Sequence, residues 1–324
     1  MRILLAPMEG VVDHTMRDLL TRIGGISRCV TEFVRVTTHT LPKKVFYRFC
    51  PELHNNGCTT NGTPVYVQLL GGNAELMASS ALVAANLGAP GIDINFGCPA
   101  KTVNRNDGGS VILKEPDRVF DIVNSIRSAV PINTPVTVKI RLGFSDRGLL
   151  REISQAIFDA NANELCIHAR TKEDGYKPPA YWGAIAAIND ISPIPIIANG
   201  EVWNVNDYHR CVSESTCTDV MLGRGALSFP DLARQIQSDG AASRLAWLDI
   251  LDLLADFSRV TEEAYESKHV ANRIKQWLSY LRREYVEADE LFQLVKRLKW
   301  PEEIATSIDA HRALSAYEPI AANL

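Results

Sequence analysis

The chain has 324 residues, 46% of them apolar and 22% charged, and a formal net charge of −4. This is the make-up of an ordinary soluble globular protein with room for one large domain, or a large one and a small one. The acidic balance excludes capture of a polyanion by the surface as a whole and leaves only local patches for it. Seven cysteines (29, 50, 58, 98, 166, 211 and 217) form no CxxC pair, which argues against a zinc ribbon or a disulfide framework and fits a reducing cytosol. The apolar run behind Met1 is too short for a signal peptide, and no segment approaches the ~18 apolar residues of a membrane span. A cytoplasmic protein without membrane or metal partners is expected.

Residues 3–6 form a brief apolar strand stopped by Pro7. Asp13 is placed to cap a helix over 14–23, which Gly24 and Gly25 end. Residues 29–33 read as a second strand, followed by an irregular region rich in turn residues up to Pro64. Strands at 65–70, 91–95, 136–142, 164–168, 194–198 and 219–222 then alternate with helices at 74–87, 116–129, 149–161, 182–189 and 205–213, with a short helical piece beyond Arg224. Uniformly apolar strands in repeated βα units mean a parallel sheet buried on both faces. Eight such strands within the first 240 residues predict a closed (β/α)8 TIM barrel, a fold that typically takes ~250 residues. A doubly wound open sheet would usually carry GxGxxG after an early strand, and none is present. Residues 244–317 contain no glycine and predict helices at 244–264, 268–286, 288–298 and 301–315. The expected organisation is a catalytic barrel over 1–240 and a small all-α domain over 241–324, with the residues from Pro319 onward frayed.

In such a barrel the site is built at the C-terminal ends of the strands. Those positions hold Pro7, Met8 and Glu9; Glu32; Gln68; Asn95 with Cys98; Lys139 with Arg141; His168 with Arg170; Asn199, Gly200 and Glu201; and Gly223 with Arg224. Chains turn polar wherever they leave a core, which accounts for much of this. It accounts less well for Lys139 inside the β-branched run 136–140, where a lone buried ammonium is costly. Cys98 sits on a Gly/Pro-shaped loop with cations behind it, and is either a reactive group or a small buried apolar one. The segments ANGE (198–201) and GRGA (223–226) follow the last two strands, where this fold commonly cradles phosphate; tight turns alone would also call for their glycines. A flavin mononucleotide would suit a site offering Gln68, Lys139 and a phosphate cradle, because a positive charge stabilises the reduced flavin ring. A sugar phosphate bound through Lys139 as a Schiff base is the competing use.

APMEGVVD, TEFVRV, VQLLGG, DINFGCPAKTVNRNDGGSVIL, VKIRLG, HARTKEDGY, IANGEVW and MLGRGAL together resemble the tRNA-dihydrouridine synthases, in the order of that family and across the whole chain. NRIKQWLSYLRREY, with FVRV around Arg35, resembles the subfamily acting on uridine 16 of the tRNA D-loop. The resemblance implies bound FMN, reduced by NADPH, that delivers hydride to C6 of one uridine while Cys98 gives a proton to C5. It implies FMN contacts at Pro7, Met8, Glu9, Gln68, Lys139, His168, Asn199, Gly200, Glu201, Gly223 and Arg224. A thiol with a pKa near ~8.5 is mostly protonated at neutral pH, so Cys98 needs no tuning to act as an acid.

A uridine within folded tRNA has to be extruded to reach a barrel mouth. Asn95 is placed to read the uracil edge, with Lys101, Arg141, Arg170 and Tyr176 near the mouth, and the glycines after Asp107 are expected to let the cysteine loop move as the base enters. In the tail, five cations (268, 273, 275, 282 and 283) and no acid lie between residues 268 and 283. Val270, Ile274, Trp277, Leu278 and Leu281 make one apolar stripe, with Lys275 and Arg282 on one flank, within ~20° of each other, and Arg273 on the other. With the family resemblance, Arg35, Arg273, Lys275 and Tyr280 are expected to orient the tRNA; without it, a solvated helix explains the pattern as well, since residues 241–324 hold 11 Lys and Arg against 14 Asp and Glu. A monomer is expected. The alternatives are a flavin-dependent dehydrogenase of a free pyrimidine, resembling the dihydroorotate dehydrogenases, a non-catalytic RNA-binding barrel, and a sugar-phosphate lyase using Lys139.

Overall fold

The computed structural model describes residues 1–317. The region from Pro319 onward, expected to fray, lies outside them, as does the Lys268 side chain. The strands are β1 (Ile3–Leu5), β2 (Arg28–Val30), β3 (Val34–Arg35), β4 (Val65–Leu70), β5 (Ile92–Asn95), β6 (Val136–Arg141), β7 (Glu164–His168), β8 (Ile196–Asn199) and β9 (Asp219–Leu222). All pair in parallel, and the ring closes through β1 on β9, with Leu4 opposite Met221, and through β2 on β4, with Cys29 opposite Val65.

The predicted second strand is two pieces of one barrel position. The Thr31 hydroxyl accepts the Gln68 N–H at 3.0 Å, and the ladder resumes with Val34 opposite Leu69. A side chain stands in for a strand carbonyl, so the barrel stays an eight-position ring although nine strands are counted. Ten helices follow the strands: α1 (His14–Ile23), α2 (Lys43–Phe49), α3 (Ala74–Asn86), α4 (Lys101–Arg105), α5 (Pro116–Ala129), α6 (Leu150–Asp159), α7 (Gly183–Asn189), α8 (Val205–Ser215), α9 (Arg224–Ser228) and α10 (Leu232–Gln237). As the sequence predicts, Asp13 caps α1 by accepting the Met16 N–H, and Gly24 ends it at φ 101°. Asn73 and Asn204 cap α3 and α8 in the same way.

Side chains alternate across the strands with the period of two that a pleated backbone imposes. One set packs between the strands and the outer helices. The other fills the barrel in layers. At the bottom, Arg2 binds Asp219 and Glu164, and Arg28 pairs with Glu164 while stacking 4.3 Å from the Tyr66 ring centroid. Above them lie Leu4, Val30, Cys166, Ile197 and Met221, all buried. The top layer is polar and carries the site.

Four further helices, α11 (Trp247–Ala264), α12 (Ser267–Leu281), α13 (Val286–Val295) and α14 (Pro301–Tyr317), form a bundle against the barrel. The apolar stripe predicted on α12 is its core: Val270, Ile274, Trp277, Leu278 and Leu281 are each at most 1% exposed. They belong to the same continuous core as the barrel helices, and the Trp277 indole N–H donates to the Leu227 carbonyl at the end of α9, 3.1 Å away. Among the described residues no helix is long and apolar enough to cross a membrane, and no group of three His, Cys, Asp or Glu side chains is placed to hold a metal.

Candidate active site

A cavity of about 600 Å³ opens at the C-terminal ends of the strands. Most of the residues expected there border it: Pro7, Met8 and Glu9 after β1; Asn95 and Cys98 after β5; Lys139 and Arg141 on β6; His168 on β7 and Tyr176 beyond it; Asn199, Gly200 and Glu201 after β8; Gly223 and Arg224 after β9; and Tyr280 from the tail. Gln68, Arg170, Arg35, Lys101, Arg273 and Lys275 stand elsewhere.

Gln68 lies beneath the cavity floor, fully buried, with its amide divided between two neighbours. Its NH2 donates to Asp93 at 2.7 Å, and its carbonyl accepts from the Asn95 amide at 2.8 Å. The Thr137 hydroxyl donates to the other Asp93 oxygen. Burial pushes the Asp93 carboxyl above its ordinary range against the pull of these donors. Asn95 also accepts the Gly97 N–H at 2.9 Å, so one amide joins the floor to the cysteine loop. On the next strand Lys139 donates to the Asn199 carbonyl oxygen at 2.8 Å, and the Asn199 NH2 donates to the Met221 carbonyl at 2.8 Å. Burial lowers the pKa of Lys139. An ammonium has three N–H donors, and here one side-chain partner takes one of them at the cavity wall. That donor set fits a ligand with an electron-rich edge. His168 is held well below its ordinary pKa by burial and then by Arg141, Lys139, Arg170 and Arg224, so its ring is neutral. A Cβ at Gly200 would sit 2.8 Å from that ring at φ +116°, so glycine is required there.

The cysteine loop is less irregular than its composition suggests. The short helix α4 and a 3-10 turn at Gly109–Lys114 follow residue 98. The Cys98 carbonyl accepts from the Asn104 amide at 2.9 Å, the Ser110 hydroxyl at 2.9 Å and the Ser110 N–H at 3.1 Å. Gly109, at φ +67°, passes so close that a Cβ would lie 2.8 Å from the same oxygen. Asp107 pairs with Arg118, which also donates to the Gly72 carbonyl at 2.9 Å. The segment expected to let the loop move therefore clamps it. The Cys98 thiol is 8% exposed on the cavity wall, and burial raises its pKa. It is a thiol, not a thiolate, at neutral pH.

The glycine-rich corner after β8 and β9 is tied together by Glu201. Its carboxylate pairs with Arg170, accepts the Trp203 indole N–H at 3.0 Å and lies 3.7 Å from Arg224. Burial pushes this carboxyl up, but the bonds and charges of Arg170, Trp203 and Arg224 bring it below its usual range. Arg170 is fully buried behind the cavity, donating to the carbonyls of Lys177 and Pro179. Arg224 lies 5.1 Å from the Tyr176 ring centroid and 5.0 Å from that of Trp203. Trp203 is a cavity residue that sequence reasoning missed; its signal was an aromatic two positions after Glu201 at a strand end.

From the tail, Tyr280 reaches the cavity and Arg283 lies 3.9 Å from the Trp203 ring centroid. Arg273 is engaged at the barrel–tail junction, its side chain only 13% exposed and paired with Asp13 at 2.6 Å. Tyr265 donates to the other Asp13 oxygen, and its ring centroid lies 4.9 Å from the Arg273 guanidinium. Lys275 is half-buried and donates to the Leu298 carbonyl at 2.9 Å, whereas Arg282 pairs with Asp289. Arg35 is half-buried on β3, and Lys101 is exposed at the start of α4.

Residues 4–316 match the family model described as Dihydrouridine synthase (Dus). A tRNA-dihydrouridine(16) synthase of Shewanella oneidensis is 50% identical over 309 residues, 95% of this chain and 98% of that protein. One of Aquipseudomonas alcaligenes is 45% identical over 318 residues, 97% and 100% of the two chains. Among solved structures, histamine dehydrogenase from Rhizobium sp. 4-9 superposes with a TM-score of 0.58 at 14% identity over 80% of this chain, which spans about half (48%) of that protein. A TcOYE complex with pHBA gives 0.53 at 11% identity over 76% of this chain and 91% of that one. At these identities the structural matches speak to the barrel fold alone.

Proposed function

The chain belongs to the dihydrouridine synthase family, and on that premise we propose that it reduces the C5–C6 double bond of uridine 16 in the tRNA D-loop to 5,6-dihydrouridine. The position follows the names of its relatives. FMN bound in the cavity and reduced by NADPH would supply a hydride for C6 of the uracil. Pro7, Met8, Glu9, Lys139 and His168 would hold the FMN ring system, and Asn199, Gly200, Gly223, Arg224 and the backbone of Glu201 its phosphate, with the Glu201 carboxylate positioning Arg224. The half-buried Lys139 ammonium with a single side-chain partner, and the glycines at 200 and 223, suit that group. Gln68 acts through Asn95, whose amide it fixes.

The observation that carries the reading is the place of the Cys98 thiol, on the wall of the cavity that Lys139 borders. As hydride adds at C6, charge develops at C5, and Cys98 supplies the proton there; solvent then restores the thiol. Asn95 reads the uracil edge, Arg141 and Tyr176 meet the entering nucleotide, and Tyr280 closes the tail side. Arg35, Lys101, Arg170, Arg273 and Lys275 support the RNA from outside the cavity or through their neighbours. Residues 1–240 form the catalytic barrel and residues 241–324 the tRNA-binding part of a cytoplasmic monomer.

The test is incubation of the purified protein with unmodified tRNA and NADPH, followed by mapping of dihydrouridine. The expected product is dihydrouridine at position 16. Bound FMN that NADPH reduces, with tRNA left unchanged, would overturn the substrate assignment. Protein that takes up no FMN would overturn the cofactor assignment.

A further inference from the structure

Three loops on the barrel rim converge on one aromatic ring. Lys114 closes the 3-10 turn after the cysteine loop, Phe144 follows β6, and Lys172 follows β7. The Lys114 and Lys172 ammonium groups lie 4.0 and 4.6 Å from the Phe144 ring centroid. They are thus within ~9 Å of each other, inside the ~10 Å over which like charges still repel at ordinary salt. The loops are joined by backbone bonds, Lys172 N–H to the Gly143 carbonyl at 3.0 Å and Glu173 N–H to the Phe144 carbonyl at 3.2 Å.

Among the described residues neither lysine has a carboxylate within 4.0 Å. Of the acids on these loops, Glu115 and Asp107 pair with Arg118, Asp146 and Asp174 accept backbone N–H groups of Gly148 and Thr171 and keep their charge, and Glu173 follows Lys172 with its side chain exposed. The ring face can hold two ammonium groups near each other but does not neutralise them. Two ammonium groups held on one ring, neither directly paired with a carboxylate, keep N–H donors free for an anion that approaches from the mouth.

Its place in the ring of strands says what the anion is. The tail packs on the side of α9 and α1 and reaches Trp203 after β8, so it occupies the rim beside β8, β9 and β1. The lysine loops follow β5, β6 and β7, across the mouth. An RNA with one base in the cavity lies over both rims. We infer that Lys114 and Lys172, positioned by Phe144, bind the phosphate backbone of the tRNA on the side of the mouth opposite the tail. This rests on the tRNA substrate proposed above and adds a second, barrel-borne contact surface to it.

The experiment uses the full-length, FMN-loaded protein. Lys114→Gln/Lys172→Gln is compared with Arg151→Gln/Arg210→Gln, which removes equal charge from the outer helices α6 and α8. Tight binding of tRNA is measured against salt, together with KM and kcat for tRNA and the rate of flavin reduction by NADPH. The rim variant should lower the slope of log affinity against log salt by ~1.5, because each lost phosphate contact removes ~0.7 to 0.9. It should raise KM for tRNA about tenfold while leaving kcat and flavin reduction unchanged. Phe144→Leu, which keeps both charges and loses the ring, should raise KM with a nearly unchanged slope. A wild-type slope in the rim variant, or an equal fall in the helix variant, overturns the inference while the substrate assignment stands. Wild-type protein that reduces its flavin but leaves tRNA unmodified removes the substrate assignment itself.

Discussion

Replacing Arg273 by methionine separates two roles for this residue. Its guanidinium is paired with Asp13 at 2.6 Å, with the two side chains 13% and 6% exposed. Removing one partner of a buried ion pair costs ~3–5 kcal/mol. Asp13 keeps three other donors (Met16 N–H, Thr15 hydroxyl and Tyr265 hydroxyl), so the loss belongs at the low end, ~3 kcal/mol. Asp13→Ala removes the N-cap of α1 as well, worth ~1 kcal/mol, and should cost ~4 kcal/mol. The double variant should then show a coupling of ~2 kcal/mol, as expected for groups in contact. Burial alone would raise the Asp13 carboxyl, but Arg273, Tyr265 and the cap bonds bring it below its ordinary value. A depressed carboxyl contributes stability that is complete above the unfolded value of ~3.9 and is lost as pH falls through the lower folded value. Wild type should therefore lose stability more steeply than Arg273→Met below that point. Urea unfolding followed by tryptophan fluorescence reads all three variants. A cost below ~0.5 kcal/mol, the level of an ordinary surface change, together with a many-fold rise in KM for tRNA, would refute the junction role and make Arg273 an RNA contact.

Cys98→Ala should keep FMN and tRNA binding and lose ~10²- to 10⁴-fold in the rate of uridine reduction, the usual worth of a positioned acid, as read by single-turnover oxidation of the reduced protein. The wild-type rate of the same step should hold through neutral pH and fall only above the ordinary thiol range of ~8.5, since burial raises Cys98; a fall beginning near pH 6 would point to another group. Gly109→Ala places a methyl group against the Cys98 carbonyl at a positive φ and should slow reduction while leaving NADPH oxidation intact; an unchanged rate would show that the clamp does not set the position of the thiol.

The barrel was legible because each strand is a short apolar run between turn residues, and α1 because its cap at Asp13 is explicit; the matching caps Asn73 and Asn204 came to light in the structure. The break in the second strand was not, because it depends on one hydroxyl reaching across to Gln68. Strand-end position brought most of the cavity residues to light, yet it carries no depth. Gln68 and Arg170 hold the same kind of position as Lys139 and Arg141, but they end beneath or behind the cavity wall. The cations of α12 show the same limit. Their spacing identified the flanks of the helix, while their partners, Asp13 for Arg273 and the Leu298 carbonyl for Lys275, come from distant segments.

The tail also bears on how the molecule assembles. Tyr265 and Asp13 touch although 252 residues separate them, and Tyr280 completes a cavity whose first wall is laid down at Ala6 and Pro7. During synthesis at ~5–20 residues per second, the strands can gather well before α12 leaves the ribosome, but the cavity stays open on one side for that interval. Contacts of such long range are slow to form. The residues that would hold the flavin all lie between Pro7 and Arg224, so the unfinished chain lacks only the wall that Tyr280 adds, and closure of the cavity becomes a late event.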